Sequence, residues 1–274
     1  MTHKMPKRKG MALWARSMFQ SLKRRREFDQ IQSFCMFIGY PRSGHTIVGA
    51  LLDAHPDIIL STGGLAAHLV ERGYLPMQIY SILIDRSQYL AASGVDRGGY
   101  FYNVQNQWQG RYRELKVIGD KFGADGLRIG ENDRLWSRLQ HLAGGRVRFL
   151  HVVRNPYDII SSMRKRRNMS LEQRADLFFG KAEQATRSIT RVGAQAVLEV
   201  RHESFVMDVR GELNRICSFL GVQTTADYLN DCAAIVYSSP SQSRFSSQWT
   251  PELIASVAER MQAFDFLDGY RYGE

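Results

Sequence analysis

The chain has 274 residues, 44% hydrophobic and 23% charged, the composition of an ordinary globular protein of one large α/β domain or two small ones. No apolar run approaches bilayer-spanning length, no secretory signal precedes the body, and three distant cysteines (Cys35, Cys217, Cys232) suggest neither a disulfide framework nor a metal site. The net charge of +10 suggests nucleic acid, but +7 of it lies in residues 1–30 and only +3 in the remainder, which argues against a nucleic-acid partner.

Residues 1–30 read as a basic, flexible arm, and 31–274 as a single domain. Met11-Ala12-Leu13-Trp14 and Met18-Phe19 leave open a short surface helix, and with it weak contact with an anionic membrane. Ser33 to Ile38 is a short apolar run that predicts a buried strand. It is followed by Gly39-Tyr40-Pro41-Arg42-Ser43-Gly44-His45-Thr46, and then by apolar residues at helical spacing through Ala54. This is the template G-x-x-x-x-G-K-[ST] of a phosphate-binding loop, with His45 in place of the lysine and a cation displaced to Arg42. Loop amides, the open helix N-terminus and the Arg42 fork would face an anion, with a further bond from the Thr46 hydroxyl. The alternative is an ordinary Gly/Pro turn before a helix.

Ile58 to Leu60 predicts a strand, and Leu65 to Gly73 and Met77 to Arg86 predict helices. Gly94 to Gly110 has aromatics and amides but no period, and reads as an irregular loop. Leu115 to Lys121 is a second buried-type run ending in Asp120-Lys121, and Val147 to Arg154 a third. Asn155 and Pro156 are N-cap and first residue of a helix through Arg166. A helix over 171–191, a strand over 196–200, a helix over 213–220 stopped by Gly221, and a last helix over 252–264 follow. The alternation predicts an α/β fold of the phosphate-loop type, three layers with a mostly parallel sheet and helices on both faces. Ligands of such sheets bind beyond the strand C-terminal ends, where Arg42, Lys121 and Arg154 all fall.

Arg154 and Ser162, eight residues apart at a strand-to-helix junction, can hold a second phosphate. The alternative is an arginine bridging to a helix cap beside a packing serine. Two such sites suit a nucleotide with one phosphate in the loop and another on its ribose.

These residues carry a resemblance. GYPRSGHTIVGALLDAHP resembles the 5′-phosphosulfate loop of the sulfotransferase superfamily, and VRFLHVVRNPYDIISSM resembles its 3′-phosphate motif. RHESFVMDVRGELNRICSFLGV and SQSRFSSQWTPELIASVAERM are weaker echoes of later family segments, so the similarity spans residues 33–272. It implies a soluble bacterial-like, cytoplasmic enzyme, in addition to the membrane contact weighed above. Its reaction would be metal-independent transfer of a sulfuryl group from 3′-phosphoadenosine 5′-phosphosulfate to a small-molecule, carbohydrate or lipid acceptor, leaving adenosine 3′,5′-bisphosphate. Arg42, Ser43, Gly44, His45 and Thr46 would hold the 5′-phosphosulfate, Arg154 and Ser162 the 3′-phosphate. His202 falls at an adenine-contacting position, and Arg244 in a loop closing over the 3′-phosphate. Arg42 would stabilise the bridging oxygen, and Lys121 would bind the transferring sulfonate or the acceptor.

The base departs from the family pattern. The position of one usual histidine holds Gly123, and the Gly63-Gly64 region lacks the usual carboxylate. His45 and Asp120 are the first candidates, with His68 and Glu71 one helical turn beyond the missing carboxylate. Two other readings remain: a nucleotide-binding homologue without transfer, and a kinase using Asp120 for Mg²⁺. The aromatic and amide stretch 100–108 is a candidate acceptor wall.

Overall fold

The structure, a computed structural model, describes residues 7–63, 65–94, 102–163 and 169–273, with side chains from residue 12 onward. Strands β1 (Ser33–Gly39), β2 (Ile58–Thr62), β3 (Val117–Lys121), β4 (Val147–Val153) and β5 (Val197–Arg201) form one sheet in the order β2-β3-β1-β4-β5. Every pairing is parallel, as the alternation with helices predicts. All seven residues of β1 are buried because the sheet is covered on both sides.

The helices, in chain order, are α1 (Lys7–Lys23), α2 (Arg25–Phe28), α3 (His45–Asp53), α4 (Ala66–Glu71), α5 (Pro76–Ser93), α6 (Gly123–Gly126), α7 (Asp133–Leu139), α8 (Pro156–Met163), α9 (Leu171–Val192), α10 (His202–Met207), α11 (Val209–Leu220), α12 (Ala226–Ala234) and α13 (Pro251–Met261). The two-residue side-chain period of a strand divides the core. Phe34, Met36 and Ile38 of β1 pack with apolar residues of α4, α5, α8, α9 and α13. Cys35 and Phe37 face the other way, toward α3, α11 and α12. Each fully buried large apolar side chain contributes about 1.5–3 kcal/mol, so this double burial fixes the strand that carries the loop.

The predicted strands agree with the observed ones within about two residues. Helix α5 runs on to Ser93, past the expected end at Arg86, because no breaker intervenes before Gly94, whose φ is +64°. Short helices α6, α7, α10 and α12 were not read as such, since four to nine residues show too little period. Helix α8 is described to Met163; the rest of its predicted span lies outside the described residues. Asn155 caps it as expected, its Oδ1 accepting from Tyr157 N at 3.0 Å.

The basic arm is where the structure departs most from the reading. Residues 7–23 are helical and lie along α5. The Gln78 amide donates to the Trp14 carbonyl at 3.1 Å and the Ser17 hydroxyl at 3.2 Å, and Arg24 pairs with Asp85 at 2.9 Å. These contacts hold the segment against the body, and the surface-helix alternative is the form it takes.

Candidate active site

The loop after β1 sits at the centre of the sheet, where successive strands are added on opposite sides, the usual ligand crevice of such folds. Arg42 has φ +76°, a left-handed conformation that costs a non-glycine residue of order 1–3 kcal/mol and marks functional sites. Gly44 precedes α3 with φ +102°, and a Cβ there would lie 2.4 Å from His202 Nδ1. Glycine is therefore demanded twice, by backbone conformation and by the histidine against it. No side chain caps α3, which leaves its first amides facing the crevice.

A cavity of about 870 Å³ opens over the strand ends, within the range of roughly 300–1,000 Å³ usual for small-molecule sites. Arg42, Gly44, His45 and Thr46 line it from the loop, and Lys121 from the end of β3. Arg154, Ser162 and His202 line it from beyond β4 and β5. The two predicted anion sites thus open into one space. They also touch: Arg154 Nη1 donates to the Arg42 carbonyl at 3.2 Å. Among the described residues no Asp or Glu lines the cavity, so Arg42, Lys121 and Arg154 set a positive field in it. Arg154 Nε and His202 Nδ1 are buried with no hydrogen-bond partner among the described residues. Unpaired buried groups are costly, and both of these belong to residues that line the cavity.

Lys121 reaches toward the loop from the neighbouring strand. Its Nζ donates to Thr46 Oγ1 at 3.2 Å, and its stem lies where a Cβ on Gly49 of α3 would meet Lys121 Cγ at 2.8 Å. An ammonium from β3 therefore stands beside a loop that lacks its own lysine.

Several expected site residues lie elsewhere. Asp120 is adjacent to Lys121 in β3, so strand alternation sends it to the opposite face. Its Oδ2 accepts from Leu65 N at 2.6 Å and Ala66 N at 2.9 Å, fixing the start of α4, and it does not line the cavity. This corrects its placement as base or Mg²⁺ ligand. His68 and Glu71 of α4 are also outside the cavity; Glu71 is bonded by Arg128 and Asn132. Arg244 is 2% exposed and pairs with Asp158 of α8 at 2.6 Å, and its Nε donates to the Tyr272 carbonyl at 2.7 Å. Its guanidinium anchors the chain and does not line the cavity. The Ser43 hydroxyl is turned inward, 3.0 Å from the Tyr40 carbonyl and 3.1 Å from His45 Nε2, which leaves that residue only backbone to offer.

His45 does line the cavity, but its basicity is not the ordinary one expected. Burial, then the nearby Lys121 ammonium, lowers its pKa to about 3, against a smaller opposing hydrogen bond with the Ile38 backbone. Its ring packs edge-on against Phe37. It also explains the missing histidine at 123: a Cβ there would lie 2.5 Å from His45 Cε1 and 2.8 Å from the Gly39 carbonyl oxygen. The imidazole of the loop fills the space that a side chain at 123 would enter. His202 has its pKa lowered to about 4, by burial and then by Arg154. Burial also lowers the pKa of Arg154, with Asp158 and Glu203 acting against it.

Sequence reasoning missed the serine-rich run Ser238-Ser239-Pro240-Ser241-Gln242-Ser243, five of whose residues line the cavity. The Arg154 Nη2 donates to the Ser241 carbonyl, and Ser162 Oγ donates to Ser243 Oγ at 3.0 Å. Arg154 and Ser162 are thus both bridged to this run. Its signal was the density of turn-forming and hydroxyl residues.

A smaller chamber of about 170 Å³ adjoins the cavity and shares Thr46, Thr62 and Tyr102 with it. Asn103 and Gln107 line it, from the stretch expected to form an acceptor wall, with Gln109 just beyond that stretch; Tyr100 and Phe101 lie outside the described residues. Asp53 also lines this chamber, held by Leu60 N at 2.8 Å, Gly110 N at 3.1 Å and the Ser87 hydroxyl at 2.8 Å. Burial outweighs these bonds and raises its pKa to about 6.

Residues 145–227 match the sulfotransferase family. The match contains Arg154, Ser162 and His202, and it bears out the resemblance read from the second anion motif. No curated protein matches the chain in sequence. Similar solved structures include the sulfotransferase domain of the Synechococcus PCC 7002 olefin synthase, at 18% identity over 86% of this chain and 96% of that one, with a TM-score of 0.47. Mouse sulfotransferase SULT7A1 complexed with PAP is similar at 14% identity over 86% of each chain, with a TM-score of 0.49. Sulfotransferase STF9 from Mycobacterium avium is similar at 13% identity over 91% of this chain and 81% of that one, also with a TM-score of 0.49. Among the described residues no helix is long and apolar enough to cross a membrane.

Proposed function

We propose that this protein transfers a sulfuryl group from 3′-phosphoadenosine 5′-phosphosulfate to a hydroxyl or amine of a small-molecule, carbohydrate or lipid acceptor. The observation that carries the reading is the opening of Arg42 and Arg154 into one cavity. When bound, the donor supplies a sulfuryl group activated by a phosphate leaving group. Arg42, the first amides of α3 and Thr46 hold the phosphosulfate end. Arg154 and Ser162 hold the 3′-phosphate, with His202 beside them. Lys121, already bonded to Thr46, neutralises charge that grows on the leaving oxygen. Arg42 shares that role.

Of the four candidate bases only His45 lines the cavity, and geometry takes precedence over pKa in choosing one. It is neutral at physiological pH, and taking the acceptor's proton requires its Nε2 to give up Ser43. Negative charge placed beside it raises its pKa from the low value of the free protein. The adjoining chamber with Asn103 and Gln107 is the acceptor side in this reading. A second reading, nucleotide binding without transfer, is favoured by the absence of a carboxylate among the described cavity residues.

Thermal unfolding with adenosine 3′,5′-bisphosphate tests the donor site. A ligand at about 100 times its Kd stabilises the native state by about 2.7 kcal/mol. The parent should show that shift, and Arg154→Ala should lose it. Equal shifts in parent and variant, or none in the parent, would refute the donor assignment. Transfer of labelled sulfate to an acceptor panel in excess chelator separates the enzyme from a binding-only homologue and from a metal-dependent kinase.

A further inference from the structure

Helix α1 docks through two serines as well as the part-buried Leu13. Ser17 and Ser21 are 1% and 0% exposed, and their hydroxyls are bonded to the carbonyls of Trp14 and Met18 in the same helix. Gln78 of α5 completes the contact. Leu13 packs against the core beside them, but three large apolar residues point the other way: Trp14, Phe19 and Leu22 are 47%, 61% and 58% exposed. Ala15, Phe19 and Leu22 follow one another at helical spacings of four and three, so they form a single outward stripe. An ordinary surface helix keeps large apolar residues such as these on its packed side.

Cations lie at the end of the stripe and follow it into α2, where the carboxylate of Glu27 is engaged by Tyr112. Residues 12–26 contain Arg16, Lys23, Arg24, Arg25 and Arg26 and no carboxylate. Arg24, and at longer range Arg16, are engaged by Asp85. Lys23, Arg25 and Arg26 are exposed and form no ion pair with a described residue. Lys23 Nζ lies 4.4 Å from the Phe19 ring centroid, so charge and apolar surface are contiguous. Exposed apolar surface rimmed by polar groups marks an interaction site, and the basic rim requires an anionic partner. A nucleic acid would satisfy the cations but leave Phe19 and Leu22 in water. A bilayer with anionic headgroups satisfies both, with the rings and Leu22 below the phosphate level and the cations at it.

We propose that the outward face of α1 is a docking surface for an anionic phospholipid bilayer, which would seat the globular body on the membrane through α5. The inference is independent of the transfer reaction.

Co-sedimentation of the full chain with vesicles tests it. Binding is expected to phosphatidylcholine vesicles containing phosphatidylglycerol and not to phosphatidylcholine alone, and it should weaken as ionic strength rises. Replacing Lys23, Arg25 and Arg26 together by glutamine should weaken partitioning about fivefold per cation, about a hundredfold in all. Phe19→Glu with Leu22→Glu should abolish it while leaving the thermal midpoint unchanged, since both side chains are exposed. Absence of binding to anionic vesicles would overturn the proposal, as would binding that survives loss of Phe19 and Leu22. A concentration-dependent dimer that these two changes dissolve, without vesicle binding, would instead assign the face to a second copy. Duplex RNA binding that depends on the three cations, without vesicle binding, would also overturn it.

Discussion

Replacing Arg244 by alanine separates a structural role from a ligand-binding one. Arg244 and Asp158 have side chains 2% and 3% exposed, and their ion pair measures 2.6 Å. The Arg244 backbone N–H also donates to Asp158 Oδ1 at 2.8 Å. Alanine keeps that last bond but leaves a buried carboxylate without its cation. Breaking a buried pair in this way costs about 3–5 kcal/mol. The contact of the guanidinium with the Phe245 ring, 4.8 Å to its centroid, and its bond to Tyr272 are lost as well. At about 2–4 °C per kcal/mol for a large domain, the ligand-free midpoint should fall by about 10 °C. Differential scanning fluorimetry without ligand measures it. Arg244→Met combined with Asp158→Leu removes both charges and should recover most of the loss, because apolar replacement of a buried pair is often neutral. Weaker bisphosphate binding would follow indirectly, since Arg244 anchors the segment that presents Ser241 and Ser243. An unchanged midpoint together with lost bisphosphate binding would refute this reasoning and return Arg244 to the donor site.

Gly123→Ala should destabilise the protein by about 1–3 kcal/mol, the usual cost of overpacking, because its Cβ would lie 2.5 Å from His45 Cε1. His45→Ala should relieve part of that loss in a double-mutant cycle but not all, as the Gly39 carbonyl remains at 2.8 Å; additive effects would show that the imidazole does not fill this space. His151 is 1% exposed, and burial lowers its pKa to about 3 from an ordinary 6.5. Its neutral form therefore contributes stability that is complete above about pH 6.5 and is lost as pH falls toward 3. Between pH 7.5 and 5 the parent should lose about 2 kcal/mol more stability than His151→Gln in urea unfolding; parallel pH profiles would contradict the assignment.

The strands were legible because a strand buried on both faces reads as a short continuous apolar run, and Ser33 to Ile38 is one. The loop and the Arg154 junction were legible because phosphate binding needs glycine, a cation and a helix start at fixed spacing. Short α7 and α12 escaped because so few residues cannot display a period. Asp120 was misplaced because its position beside Lys121 at a strand end suggested a shared site, when adjacency in a strand means opposite faces. Arg244 was assigned from the resemblance of its segment to a family loop; its partner Asp158 lies 86 residues away in sequence. The basic segment read as an arm because its charge is evident and its fit to α5, through Gln78 and Asp85, is not.

What the sequence by itself determined was local: strand, glycine turn, helix start and capped junction each follow from neighbouring residues and backbone chemistry. Only the tertiary structure decided which charges share a space. The crossing of β1 to the edge strand and back puts Lys121 beside Thr46, and the pairing of β1 with β4 brings Arg154 to the Arg42 carbonyl. The physical reason is that a side chain's chemical type is set by its own residue, whereas its direction, solvent exposure, partners and, through burial, its protonation are set by elements distant in the chain.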